Sequence, residues 1–215
     1  MEAILHGFVL ALGLILPLGV QNVFVFNQGA AQPRLSGALP AVIAAALCDT
    51  LLISLAVFGV SAVVLKIEAL RLGLMLAGIA FLAYMGFSLW RTRPAASLPG
   101  DASDSSAAVR ALSSSRQIAF ALSVSLLNPH ALLDTVGVIG TSALAYEGAA
   151  QIRFAAACIV VSWLWFAALA TAGSVLRRFD GGGRLTALFN RASALFVWGT
   201  ALYLLASLIR EVPFA

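Results

Sequence analysis

Long apolar stretches separated by charged residues or prolines run along almost the whole chain. Six such stretches, of about 18 to 28 residues, cover approximately residues 3–26, 41–65, 72–90, 117–144, 154–176 and 192–209. A helix needs about 20 apolar residues to cross the hydrocarbon core of a bilayer, so each stretch has the length of a tilted or broken spanning helix. The pattern therefore predicts an all-α, polytopic membrane protein with six transmembrane helices.

One long connection, residues 91–116, divides these stretches into two groups of three. It is rich in serine and contains Pro99 and Gly100, a composition that does not bury a core. We therefore predict a first three-helix repeat at 1–90, a flexible cytoplasmic linker at 91–116 and a second three-helix repeat at 117–215. Because three crossings end on the opposite face of the membrane, the two repeats must be inverted relative to each other.

Prolines interrupt the first helix of each predicted repeat. Pro17 precedes Asn22 by five residues, and Pro129 precedes Asp134 by five residues. Proline removes a backbone hydrogen bond and breaks a helix, and broken helices at matching positions of two repeats are typical of a transporter's central site. Helices 1 and 4 are therefore predicted to be Pro-broken.

Composition agrees with a membrane protein. Hydrophobic residues make up 61% of the 215 residues and charged residues only 10%, against roughly 25% charged in soluble domains. This excludes an ordinary soluble enzyme, a disordered protein and a disulfide-rich secreted scaffold. The two cysteines, Cys48 and Cys158, lie within apolar stretches without metal-ligand or redox spacing, so we predict no metal and no cofactor.

The charge distribution predicts topology rather than nucleic-acid binding. The net charge is +4, but the basic residues lie at the edges of the apolar stretches. Connections 1, 3 and 5 carry nine of them and the other side carries four, so the positive-inside rule places connections 1, 3 and 5 in the cytoplasm. Both termini are then predicted outside, and the N-terminus lacks the basic region of a signal peptide.

Two acids lie inside the predicted spans, Asp49 in helix 2 and Asp134 in helix 4. A charged side chain near the bilayer midplane costs at least ~2.5–3.5 kcal/mol on insertion scales, so such residues usually have a partner or a function. One interpretation is a protonated aspartate bonded to a backbone carbonyl in a packed interface. The functional interpretation is an anionic site for a cation, a proton or both.

The breaks supply groups that complement these acids. Helix-fragment N-termini at Pro17 and Pro129 favour a carboxylate, and the amides of Gln21, Asn22 and Asn128 can hydrogen-bond a zwitterion. Such a site suits a basic amino acid, although a metal cation could use the same oxygens. His130 is either a proton relay beside Asp49 and Asp134 or a structural histidine.

Other polar and small residues in the spans are interpreted as packing groups. Ser162 is expected to join helices, and Trp163 to pack inside the protein rather than over a guanidinium. Several glycines are expected to permit close helix contact: Gly13, Gly19, Gly29, Gly78, Gly86, Gly137 and Gly140. No Ser/His/Asp, HExxH or Cys/His constellation is present, which predicts that the protein is not an enzyme.

Three segments in order carry a family resemblance: residues 16–29 with Leu-Pro-Leu-Gly-Val-Gln-Asn, residues 48–53 with Cys-Asp-Thr, and residues 127–135 with Asn-Pro-His and Asp134. Together they resemble the LysE-type amino-acid exporters, and most closely the lysine/arginine exporter branch (LysE/ArgO). Membrane thiol-redox proteins of the wider superfamily carry a cysteine before each helix-breaking proline. Here Leu16 and Asn128 occupy those positions, which argues against redox chemistry.

The resemblance implies export of L-lysine or L-arginine across the bacterial cytoplasmic (inner) membrane by alternating access. It implies Asp49 and Asp134 as central acids, and assigns Pro17, Gln21, Asn22, Asn128 and Pro129 to the shape of the site. A proton or counter-ion is the implied coupling partner, and the lipid bilayer surrounds the protein. Whether the chain forms a homo-oligomer is left open. Neutral amino-acid export, metal-cation export and a non-transport membrane scaffold are the alternatives.

Overall fold

A computed structural model describes residues 1–16, 19–59, 111–127, 135–179 and 184–211, together with positions 73, 76, 79–80, 82–84, 86–87 and 90–91. Within these residues the secondary structure is helical, without strands. We number the main helices α1 Glu2–Ile15, α2 Val20–Ala31, α3 Leu39–Val57, α4 Ser114–Leu127, α5 Gly148–Phe179 and α6 Arg184–Glu211. Shorter pieces are a 3-10 turn at Leu35–Ala38, a π-helical segment at Thr135–Gly140 and an α-helical turn at Thr141–Ala143.

The predicted interruption of the first helix is confirmed. α1 ends at Ile15 and α2 begins at Val20, with a 79° bend between the two helices. Pro17 itself lies outside the described residues, as does Pro129, so the corresponding break in helix 4 stays a prediction. The bend turns the first apolar stretch into two short helices that meet at an angle.

Local sequence explains both ends of α3. Pro40 lies in its first turn, where the missing N–H of proline has no helical partner to lose. Gly59 adopts φ +80°, a left-handed conformation that glycine takes without steric cost and that commonly ends a helix. The apolar stretch was expected to continue to about residue 65, but α3 ends at Val57 because the chain turns at Phe58 and Gly59.

α2 is the central element of the described helices. Every residue from Val20 to Gly29 is buried, although this helix also carries amide side chains. It packs chiefly against α5 and also against α3, α4 and α6. One apolar cluster joins Phe24 of α2 to Ala121 of α4 and Phe166 of α5, and another joins Val23 to Val197 of α6.

Two of the described helical segments, Leu35–Val57 and Gly148–Phe179, are long and apolar enough to cross a membrane. The bent pair of α1 and α2 passes the same criterion when it is taken as one broken span, which gives up to three. The protein is therefore a helical membrane protein. Six spans and an inverted repeat stay predictions.

Two backbones approach closely where α2 crosses α5. A Cβ atom at Gly29 would collide with the carbonyl of Ala170, and one at Gly173 would collide with the carbonyl of Phe26. The expectation of close contact is correct at Gly29, but at Gly13, Gly19 and Gly137 an added Cβ would have no neighbour within 4 Å among the described residues. Gly86 and Gly140 do have near neighbours, and Gly78 lies outside the described residues.

Three buried amides, which we call the glutamine cluster, join the end of α2 to the starts of α3 and α4. The members are Gln28, Gln32 and Gln117. Gln28 Oε1 accepts the Leu112 N–H at 3.2 Å, while Gln32 and Gln117 donate to the Leu112 carbonyl at 2.8 and 2.9 Å. Both the N–H and the carbonyl of Leu112, just before α4, are thereby bonded to glutamine side chains.

Gln117 also ties this cluster to α3. Its Oε1 accepts the Ala41 N–H at 3.1 Å and its Nε2 donates to the Gly37 carbonyl at 2.8 Å. Arg177, in the last turn of α5, donates to the backbone carbonyls of Gln32 and Pro33. Side-chain bonds to backbone groups therefore join the end of α2, the starts of α3 and α4, and the end of α5.

Replacing Gln117 by leucine should lower thermal stability markedly. The change keeps the volume but removes the partners of the Ala41 N–H and the Gly37 carbonyl, and each buried unsatisfied group costs ~1–3 kcal/mol. At about 2–4 °C per kcal/mol for a chain of this size, we expect the unfolding midpoint to fall by roughly 5 °C or more. Thermal unfolding in detergent measures this, and Ser115→Ala, at an exposed position of α4, is the control. Equal midpoints for Gln117→Leu and wild type would contradict the expectation.

Candidate functional site

Asp49 lies in the middle of α3, on one of the helices that are apolar enough to cross a membrane. Its side chain is partly buried. The Gln21 amide of α2 donates to Asp49 Oδ1 at 3.3 Å and lies 3.5 Å from the Ala45 carbonyl, one turn earlier on α3. On the other side, Ser162 of α5 lies next to the same carboxylate. Three helices therefore meet at this acid.

The first turn of α2 supplies the groups that face Asp49 and the helix break. Gly19 is the N-cap residue of α2, in an extended conformation, and Gln21 and Asn22 follow directly. The Asn22 amide donates to the Ile15 carbonyl at 2.7 Å. Ile15 is the last residue of α1, where carbonyls lack a helical N–H partner. Asn22 therefore compensates for a backbone group that the break would otherwise leave unpaired.

A second contact links α5 to the same turn of α3. The Trp163 indole N–H donates to Thr50 Oγ1 at 3.1 Å, and the Thr50 hydroxyl donates to the Ala46 carbonyl at 2.7 Å. Consecutive residues of α5, Ser162 and Trp163, thus lie against consecutive residues of α3, Asp49 and Thr50. The indole of Trp163 is a hydrogen-bond donor, and its side chain is 36% exposed among the described residues, contrary to the expectation that it packs inside the protein.

The partners of Asp49 among the described residues are neutral donors. Neutral donors can orient a carboxylate without cancelling its charge, and a carboxylate accepts about four hydrogen bonds. A charge in a low-dielectric site interacts more strongly with an incoming ion than it does in water. The arrangement can therefore receive a cationic group beside Gln21 and Ser162.

The structure brings together one part of the predicted site. Gln21, Asn22 and Asp49 lie beside the break between α1 and α2. The other predicted residues lie outside the described residues: Pro17, Asn128, Pro129, His130 and Asp134. The π-helical segment Thr135–Gly140 begins directly after Asp134, and such segments occur frequently at functional sites.

Two features were missed by the sequence analysis. Ser162 was interpreted as a residue that joins helices, but it also lies next to Asp49, and the glutamine cluster was not noted. The spacing of Gln21, Gln28 and Gln32 contained a signal, because residues seven and eleven positions apart share one face of a helix. A polar face on a helix within an apolar stretch indicates contact with other helices.

Within the part of the chain that the structure describes, no group of three His, Cys, Asp or Glu side chains could hold a metal ion. What stands out instead is an acid inside an apolar helix next to a broken helix. Ionisable residues within spans and discontinuous helices are features of membrane transporters. The fold and the site together therefore define a membrane transporter.

Comparison with known families gives the family. The model of the LysE type translocator family matches residues 12–208, which is most of the chain. The chain therefore belongs to the LysE-type translocator family. It is a transporter and not an enzyme, in agreement with the names of its relatives.

Several curated relatives match over nearly their whole length. YisU of Bacillus subtilis (strain 168), named only as a candidate amino-acid transporter, is 51% identical over 208 residues, covering 97% of this chain and 91% of the relative. The arginine exporter protein ArgO of Pectobacterium carotovorum (strain PC1) is 35% identical, covering 93% and 95%. ArgO of Serratia proteamaculans (strain 568) is 34% identical, covering 93% and 94%. No solved structure matches this chain.

Proposed function

We propose that this protein exports L-arginine, with L-lysine as a second substrate, from the bacterial cytoplasm. The observation that carries the proposal is the Asp49 carboxylate inside an apolar helix, where it accepts a hydrogen bond from Gln21 and has Ser162 beside it. Such a group offers a cation an ionic partner in a low-dielectric site. Relatives named as arginine exporters support the choice of a basic amino acid.

The complete site includes residues of both repeats. The cationic side chain or amine binds Asp49 and Asp134, and the carboxylate binds backbone N–H groups at the Pro17 and Pro129 breaks. Gln21, Asn22 and Asn128 hydrogen-bond the remaining polar groups. The geometry at the first break supports this proposal, because Gln21 and Asn22 already face Asp49 and the end of α1.

Transport occurs by alternating access between two inverted three-helix repeats, 1–90 and 117–215, joined by a cytoplasmic linker. An inside-negative potential of 100 mV opposes the exit of one positive charge by about 2.3 kcal/mol. Export therefore requires a high internal concentration or an exchanged ion. A proton that enters from outside and binds Asp134 or Asp49, with His130 as a relay, would supply the exchange.

The same proposal fixes the location and orientation of the chain. The protein resides in the cytoplasmic (inner) membrane with both termini outside, because the basic residues concentrate in connections 1, 3 and 5. Cysteine labelling of the termini from the outside of intact cells reports the orientation.

The test is amino-acid efflux from cells that carry the protein. Cells are loaded with dipeptides containing arginine, lysine or a neutral amino acid, and the amino acids released into the medium are measured over time. We expect arginine to leave several times faster than from cells with an empty vector. Release of neutral amino acids alone, or protection against a metal cation without amino-acid efflux, would overturn the proposal.

A further inference from the structure

α5 and α3 are joined at the functional site by two adjacent pairs of residues. The Trp163 indole lies 3.1 Å from Thr50 Oγ1, and Ser162 lies next to the Asp49 carboxylate. Ser162 is almost fully buried, whereas Trp163 is 36% exposed. Both contacts fall on the single turn of α3 that carries the acid.

The Thr50 hydroxyl acts both as a hydrogen-bond donor and as an acceptor. It donates to the Ala46 carbonyl at 2.7 Å and accepts the Trp163 N–H at 3.1 Å. Ser54 repeats the first of these bonds one turn later, donating to the Thr50 carbonyl at 2.7 Å. Back-bonding of this kind weakens and bends helices slightly. We therefore expect the external contact on Thr50 to restrain the orientation of this turn.

The Asp49 carboxylate has neutral neighbours on two sides, Gln21 of α2 and Ser162 of α5. Gln21 reaches it from α2 at 3.3 Å, which is longer than the usual length of a charge-assisted bond. A carboxylate that is bonded weakly can exchange a neutral donor for a cation. The direction in which it points is then set by the orientation of its helical turn, and hence by the contact between Thr50 and Trp163.

Sequence spacing supports a role for this part of α5. Ser162 lies 33 residues after Pro129, and Asp49 lies 32 residues after Pro17. In the proposed repeat, Ser162 is thus the counterpart of Asp49 to within one residue. The second repeat would contribute a neutral hydroxyl at the position where the first repeat contributes an acid.

Resting on the proposed function, we propose that Trp163 and Ser162 are positioning residues that fix Asp49 for the cationic substrate. Trp163 sets the orientation of the turn through Thr50, and Ser162 holds the carboxylate until substrate replaces it. Loss of one intramolecular hydrogen bond should change substrate affinity about three- to tenfold. The maximal rate should change less, because the charge that binds the cation is still present.

The test uses two tryptophans of the same helix. Trp163→Phe removes an indole N–H that bonds Thr50, whereas Trp165→Phe removes a buried indole N–H that has no partner among the described residues. The purified variants are reconstituted in proteoliposomes, and arginine efflux is measured over a range of internal concentrations. We expect KM to rise about three- to tenfold for Trp163→Phe and less than twofold for Trp165→Phe.

Further variants separate positioning from general stability. Ser162→Ala should raise KM as Trp163→Phe does, and Ser162→Thr, which keeps the hydroxyl, should restore most of the affinity. In a double-mutant cycle, Thr50→Val should add little to Trp163→Phe, because both remove the same bond. Ser162→Ala also provides a test if Trp163→Phe fails to accumulate.

Equal KM values for Trp163→Phe, Ser162→Ala and wild type would overturn the inference, and so would an equal rise in Trp163→Phe and Trp165→Phe. These outcomes leave the proposed function intact, since wild-type protein would still export arginine. A wild-type protein that does not transport arginine would overturn the proposed function itself. The two failures are therefore distinguishable in one set of proteoliposomes.

Discussion

Replacing Asp49 by asparagine is expected to reduce arginine export at least about 100-fold. Asparagine has nearly the same shape and can still bond Gln21 and Ser162, so the change removes the charge and little else. Leaving a cation without its buried partner costs ~3–5 kcal/mol, which corresponds to a loss of two orders of magnitude or more. Efflux from dipeptide-loaded cells, normalised to the amount of protein in the membrane, measures the effect.

A matched control is available outside the helices. Glu147 is an exposed acid in the loop before α5, and Glu147→Gln removes one negative charge far from the site. We expect this variant to export arginine at the wild-type rate. Asp49→Glu keeps the charge but moves it by one methylene group, so we expect intermediate activity. Export at the wild-type rate by Asp49→Asn would exclude Asp49 as the central acid.

Asp134→Asn tests the second predicted acid independently. If both acids bind the substrate cation, each substitution alone should abolish export while membrane insertion is unaffected. Retained export in the Asp134 variant, together with loss in the Asp49 variant, would restrict the site to the first repeat. The comparison therefore measures how far the two repeats share the binding function.

The features that depend on strong local signals could be predicted from the sequence. Proline breaks a helix wherever it occurs in the interior, so the end of α1 at Ile15 and the start of α2 at Val20 followed from Pro17. An acid in an apolar stretch is costly in any fold, which directed attention to Asp49. Neither inference requires knowledge of how the helices pack.

The remaining contacts depend on tertiary packing and could not be predicted in the same way. Serine is common in membrane helices, and nothing local distinguishes Ser162 from Ser123, which bonds only its own helix at Ala119. The bond between Asn27 and Asn190, at 2.7 Å, joins residues 163 positions apart. Such pairs are determined by the relative rotation of two helices, which a single sequence does not specify.

The packing of the glycines could also not be predicted from the sequence. Gly13 and Gly29 both occur in apolar helices and received the same interpretation, yet only Gly29 contacts a neighbouring backbone. The difference lies in where the helices run after the bend near Pro17. α2 enters the interior, with every residue from Val20 to Gly29 buried, while Gly13 of α1 is exposed.

Leucine at Gly29 or Gly173 should therefore prevent stable folding. An added side chain would meet backbone atoms of Ala170 or Phe26, which cannot move aside unless α2 and α5 separate. Overpacking costs ~1–3 kcal/mol where side chains can adjust, and we expect the upper end or more here. At about 2–4 °C per kcal/mol, the unfolding midpoint should fall by roughly 10 °C, or the protein should fail to accumulate.

Gly13→Ala is the control for these substitutions. Its Cβ would have nothing within 4 Å, and alanine is favoured over glycine in a helix by ~1 kcal/mol, so stability should be unchanged or slightly higher. Because Gly29 and Gly173 lie at one crossing, the losses of stability in Gly29→Ala and Gly173→Ala should not be additive: once the first substitution has separated the helices, the second costs less. Additive losses, or a stable Gly29→Leu protein, would show that α2 and α5 do not cross at these glycines.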